Sequence, residues 1–290
     1  MKQTVVDRYK PLYKTVIRAN QPWLRIPWKE IAEYRDLLLL LVKRDLTALY
    51  KQTILGPLWF IVQPLVSAIV FTVIFGKVAK VSTDGVPHMI FYMCGTVPWN
   101  YFQGCMTQGA NSLVGNAYLL SKVYFPRLII PLSGLFTNFA HFLLNLLMFF
   151  SFFVYYFFFT NAVLKPNLFL LLFPLLIFQC ALIGLGVGLW VAALTTKYQD
   201  LRFALPFLTQ VWMYATPVVY PASLIVSPSY RLLLWCNPMS FVVECSRWMF
   251  TGSGTVTTAS VIISVGMTLF LLVSGLLIFN KVQRTFVDTI

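Results

Sequence analysis

Two histidines, five cysteines and nine Asp or Glu are all that 290 residues offer for proton transfer, metal binding or nucleophilic attack. Cys94, Cys105, Cys180, Cys236 and Cys245 form no CxxC pair and no Cys/His set with metal-ligand spacing, so no metal site is expected. Most of them read as small buried apolar residues; Cys236 and Cys245 fall in a region expected outside, where a disulfide is conceivable without being required. His141 lies inside an apolar run, where a histidine is more often hydrogen-bonded to a neighbouring helix than catalytic, and His88 lies at the edge of another. Asp7, Glu30, Glu33, Asp36 and Asp45 cluster near the start, while Asp84, Asp200, Glu244 and Asp288 are scattered. General acid–base work needs groups brought within reach of one another, and no catalytic residue is assigned. A phosphate cradle needs GxxxxGK[ST], yet the only Gly-Lys pair, Gly76-Lys77, is followed by Val78 and has Phe71 where the first glycine would stand. The chain is therefore expected to bind no cofactor, and active transport by it would need energy from a partner.

The elements that carry these residues belong in a bilayer. The chain is 59% hydrophobic and 11% charged, against roughly 25% charged residues in soluble domains. Continuous apolar runs of about 20 residues argue for spanning helices and against a β-barrel, whose strands alternate. Six spans are expected: Leu58–Val78, His88–Leu113 interrupted by Gly95, Pro98 and Gly104, Ile130–Phe159, Asn167–Leu194, Phe203–Tyr220 and Val256–Asn280. The fold class is an all-α membrane protein, with residues 1–57 as a cytoplasmic segment and 58–290 as the transmembrane domain.

The net charge of +13 reads as a topology signal, with no nucleic acid implied. Lys2, Arg8, Lys10, Lys14, Arg18, Arg25, Lys29, Arg35, Lys43, Arg44 and Lys51 all precede Pro57, which places the N-terminus in the cytoplasm, and six spans return the C-terminus there. The apolar run at Leu37–Val42 comes too late for a cleaved leader. Beyond that segment the bias is weak: Lys122, Arg127, Lys197, Arg202, Lys281 and Arg284 fall inside, and Lys77, Lys80, Lys165, Arg231 and Arg247 outside. Residues 28–50 read as an amphipathic helix lying on the cytoplasmic leaflet or packed on a partner. Residues 221–254 hold apolar patches too short to cross, separated by Ser227-Pro228 and Asn237-Pro238. Two short re-entrant helices, or a loop folded over the bundle, would explain them.

On this map the stretch LLSKVYFPRLIIP, residues 119–131, faces the cytoplasm between the second and third spans. Tyr118–Val123 can form a short helix that Pro126 ends. Tyr124 and Phe125, flanked by Lys122 and Arg127, suit insertion into a groove on a soluble protein; a turn at the membrane interface has the same composition. Asp200 and Arg202, in the next cytoplasmic loop, are candidates for secondary contacts.

YKQTILGPLWFIVQPL (50–65), VFTVIFG (70–76), FYMCGTVPWNYF (91–102) and KVYFPRLIIP (122–131) together resemble the permease subunit of ABC-2 type polysaccharide exporters, which move O-antigen, capsule or teichoic acid. The resemblance implies a homodimer of six-span subunits in the bacterial cytoplasmic (inner) membrane, paired with two copies of a cytoplasmic ATPase that uses ATP and Mg. It implies a coupling loop over about 115–130, with Lys122, Val123, Tyr124, Phe125, Pro126 and Arg127 seated in that ATPase, re-entrant outer helices at 221–254, and an interfacial gate helix near the N-terminus. The substrate implied is a lipid-linked polysaccharide. Sugar rings stack their CH faces on aromatic rings, which makes Trp59, Gln63 one turn later on the same face, Tyr92, Trp99 and Tyr101 the candidates for a substrate channel. The FFSFFVYYFFF run (149–159), aromatic all round, is expected to face lipid or the outer interface. The competing readings are a membrane enzyme acting on polyprenyl-linked sugars, which would need Asp200 or Glu244, and a secondary transporter, which would need ionisable groups at membrane depth.

Overall fold

The computed structural model describes residues 28–51, 56–160 and 164–285. Lys2, Arg8, Lys10, Lys14, Arg18 and Arg25, on which the expected orientation leans, lie outside these, as do Asp7 and Asp288. Every regular element among the described residues is helical, because a spanning segment must satisfy its backbone groups internally.

The expected amphipathic helix is present as α1 (Trp28–Glu33) and α2 (Arg35–Lys51), with a turn at Tyr34. Hydrogen bonds from Tyr34 N to Glu30 O and from Leu38 N to Tyr34 O carry the chain through that turn. The helix packs along α6 (Ile129–Phe159) and buries Leu41 while Leu39 and Leu40 stay exposed. Helix α3 (Trp59–Phe71) runs on as a π-helical stretch, Thr72–Val78. There Gly76 leaves room for the His88 ring, which a Cβ would overlap.

Helix α4 (His88–Ala110) is the axis of the bundle and buries 17 of its 23 residues against α6, α7 (Phe173–Thr195) and α10 (Pro238–Thr251). It is unbroken, contrary to the expected interruption. Its glycines serve close packing: a Cβ on Gly95 would lie 3.2 Å from Val218 O, and one on Gly109 would lie 3.2 Å from Gly188 Cα. Pro98 has no N–H to give Cys94 O, which accepts instead from Ser246 Oγ at 3.2 Å, and the Pro98 carbonyl accepts from Cys180 Sγ at 3.3 Å. On α7, Gly184 and Gly188 meet α4, whereas Gly186 meets the backbone of α11 (Thr258–Thr285) at Leu271. Small residues let helix backbones approach where lipid supplies no hydrophobic drive between helices. Gln179 to Ser264 and Thr268, and Trp190 to Ser274, add interhelical hydrogen bonds.

Among the described residues, four segments have the length and composition of membrane spans: Trp59–Val78, Ile129–Phe159, Leu168–Thr195 and Thr258–Gln283. The second and fifth expected spans are α4, whose composition is more mixed, and α8 (Leu201–Ala215), whose 15 residues cover only about 22 Å. The 221–254 region holds two short helices, α9 (Pro228–Cys236) and α10. Asn237 caps α10 by accepting from Met239 N at 3.1 Å, Pro238 takes the first helical position, and Gly252 at φ +75° ends it. Thr257 and Ser260 form a reciprocal cap on α11. All five cysteines are free thiols, so Cys236 and Cys245 are not paired, and only Cys236 is exposed.

Candidate functional site

The bundle has two chemically distinct ends. At one, Leu41 of α2, Leu113, Leu120 of α5 (Ala117–Lys122), Phe125, Leu128, Leu189 and Ala192 of α7 and Phe279 of α11 form one apolar cluster. The amphipathic helix, the 113–130 connection and the C-terminal turns of α7 and α11 therefore meet at the same end. The opposite end gathers the connections around residues 79–87, 164–172 and 216–257: Ser223 Oγ donates to Asp84, Lys165 N to Thr251 O and Asn167 N to Met249 O.

The candidate docking loop sits at the first end and divides its aromatic pair. Phe125 is 4% exposed and packs into the apolar cluster, whereas Tyr124 is 65% exposed. The expectation that both rings project outward is thus corrected for Phe125, which fastens the loop to its own bundle. Pro126 and Arg127 are half-buried behind it, and Val123 is exposed. The outward strip extends back along α5, where Tyr118 is 74% exposed and Lys122 donates from Nζ to Tyr118 Oη at 2.5 Å. The ammonium also lies 4.0 Å from the Tyr118 ring centroid, a cation–π contact at the helical i, i+4 spacing. Tyr118 is not among the residues singled out from sequence, although its i, i+4 spacing to Lys122 is there to be read. Asp200 and Arg202 are exposed where α8 begins, just past Lys197 and Tyr198.

The five channel candidates separate. Trp59 and Gln63 share an exposed face of α3 with Val66 and Val70, continued by Val73 of the π-helical stretch. Tyr92, Trp99 and Tyr101 are buried within the chain. Tyr92 packs edge-on to Phe71 and Phe91, Trp99 to Trp212, and Tyr101 onto Phe142. Tyr92 and Trp99 are enclosed, Tyr101 borders an apolar cavity with Phe136, Phe139 and Phe142, and Trp59 and Gln63 are the exposed pair among the five. His141 stacks on Phe60 with ring centroids 3.8 Å apart. Several rings of the 149–159 run, Phe158 and Phe159 among them, are exposed as expected, while Phe149 and Phe153 turn inward against Phe250.

Sequence reading missed one charged constellation. Glu244 and Arg247, one turn apart on α10, are both 1% exposed and joined at 2.6 Å. Arg247 also donates to Pro217 O and Val218 O and lies 3.6 Å from the Phe91 ring centroid. Glu244 accepts from Ala222 N and Thr255 N, both at 3.2 Å. The pair ties two connections of the second end, 216–227 and 252–257, to α4 and α10. Opposite charges at i, i+3 inside the apolar run FVVECSRWMF were the available signal.

A family described as ABC-2 type transporter matches residues 36–251. A protein of Myxococcus xanthus called O-antigen export system permease protein RfbA is 30% identical over 77% of this chain and 83% of its own length. A Klebsiella pneumoniae protein of the same description is 28% identical over 87% and 94%. The polysialic acid transport protein KpsM of Escherichia coli is 22% identical over 70% and 77%. The family match runs from α2 to the last residue of α10 and so takes in both ends of the bundle, and on that extent this multi-pass membrane chain belongs to the ABC-2 type transporter family.

Proposed function

We propose that this chain is the transmembrane subunit of an ATP-driven exporter that carries a lipid-linked polysaccharide across the bacterial cytoplasmic membrane. It acts as a homodimer of six-span subunits with both termini in the cytoplasm. Two copies of a cytoplasmic ATPase, which bind the ATP and Mg, seat on the strip from Tyr118 to Tyr124, with Asp200 and Arg202 beside it. Trp59 and Gln63 face the substrate path. The observation that carries this reading is an exposed aromatic and basic strip pinned by a buried Phe125, on a chain whose only Gly-Lys pair cannot make a phosphate loop. The names of the relatives, permeases for O-antigen export and a polysialic acid transport protein, support the substrate class.

The enzyme reading loses its best acid, since both oxygens of Glu244 are engaged by Arg247 and two backbone amides. Co-expression with a candidate ATPase and reconstitution into vesicles tests the proposal. Stable co-purification and ATP-dependent movement of a lipid-linked polysaccharide are expected. Movement driven by an ion gradient, with no ATPase present, would overturn it.

A further inference from the structure

Helices α4 and α6 each carry a glycine followed four residues later by an amide, Gly104 with Gln108 and Gly134 with Asn138. The helices run antiparallel, and the two pairs cross. A Cβ on Gly104 would overlap Asn138 Oδ1, and a Cβ on Gly134 would lie 2.9 Å from Gln108 Cγ. Each glycine therefore makes the space that the opposite amide fills. Asn138 Nδ2 donates to Gln108 Oε1 at 2.7 Å and to Gly134 O at 2.8 Å, and Gln108 Nε2 donates to Asp45 Oδ2 of α2 at 3.1 Å. The other oxygen of Asp45 accepts from Arg44 Nε at 2.9 Å. Three elements are thus joined by one polar chain, alongside apolar contacts of α2 such as Leu41, which slide more easily than a directional hydrogen bond.

We propose that Asp45, Gln108 and Asn138 form a positioning latch that fixes the amphipathic helix α2 against α4 and α6. Leu41 of α2 and Phe125 of the docking loop, whose residues 124–127 form an elbow between α5 and α6, lie in the same apolar cluster. Once latched, α2 moves with the elbow as a unit, and a displacement at Tyr124 reaches α2 and the α4–α6 seam together. This mechanical consequence rests on the proposed docking of an ATPase at the elbow; the latch itself does not.

Amide exchange of residues 35–51, measured on the full chain in lipid nanodiscs without any partner, tests the latch directly. Asp45→Ala should speed exchange in α2 about tenfold, the effect of losing one hydrogen bond to a charged group. Asp45→Asn keeps the acceptor for Gln108 and should stay near wild type. Gly134→Ala should act like Asp45→Ala by displacing Gln108, whereas Gly115→Ala, whose nearest neighbour would be Asn111 Cβ at 3.8 Å, should not. Unchanged exchange in Asp45→Ala, or equal acceleration in Asp45→Asn, would overturn the latch. With the ATPase present, Asp45→Ala should lower export while leaving co-purification intact. Normal export despite faster exchange would overturn the mechanical consequence and leave the docking proposal standing.

Discussion

Replacing Tyr124 by Ala removes an exposed ring and replacing Phe125 by Ala opens a hole in an apolar cluster, so these chain neighbours should fail in different assays. Tyr124→Ala should leave the unfolding temperature of the isolated chain unchanged and weaken ATPase co-purification by about 2 kcal/mol or more, as an aromatic anchor does. Phe125→Ala should lower stability by about 3–5 kcal/mol, seen as early unfolding before any partner is added. Equal loss of docking with no loss of stability would contradict the inward placement of Phe125. For Glu244→Ala the expected cost is also about 3–5 kcal/mol, because Arg247 is left as a buried charge without its carboxylate; thermal unfolding in detergent measures it. Both loop aromatics were legible in the sequence as a pair, but a proline-interrupted turn has no period from which to read which ring points inward. Glu244 reads as one of several scattered acids, and Arg247 as an outside loop charge, because their other partners, the backbone groups of Pro217, Val218, Ala222 and Thr255, are joined to them only by the fold.

At the scale of the helices, two glycines on α7 and α11 give opposite predictions. A Cβ on Gly186 would lie 2.8 Å from the backbone of Leu271 and Leu272, while one on Gly266 would meet nothing within 4 Å. Gly186→Ala should therefore push α7 from α11 and cost about 1–3 kcal/mol. Gly266→Ala should gain about 0.5–1 kcal/mol from helix propensity. Opposite shifts of unfolding temperature check the pair, and parallel shifts would contradict the packing. The long apolar helices α6, α7 and α11 and the amphipathic α1–α2 segment were readable because their periods and lengths are strong. The continuity of α4 was not: Gly95, Pro98 and Gly104 read as breaks, since nothing local says that Val218 and Asn138 come to fill the space beside two of them. The short α8 and the buried α10 likewise owe their placement to neighbours more than to their own composition.

The whole molecule is organised by its two ends, one holding the amphipathic helix and the elbow, the other the charged pair and the α9–α10 hairpin. The sequence made the all-helical bundle and its family resemblance legible, but its charges beyond the N-terminal segment divide almost evenly between the two ends, so orientation rested on the first 57 residues. The proposed function requires the elbow end to face the cytoplasm, where ATP is. The chain carries a reporter for this, because Cys236 on α9 is its one exposed thiol. A membrane-impermeant maleimide applied to spheroplasts is the most direct measurement. Cys236 should be labelled from outside, and Tyr124→Cys in a Cys236→Ser background should be labelled only after the membrane is opened. Labelling of Tyr124→Cys in intact spheroplasts, with Cys236 protected, would place the elbow away from any cytoplasmic ATPase and contradict the proposed function.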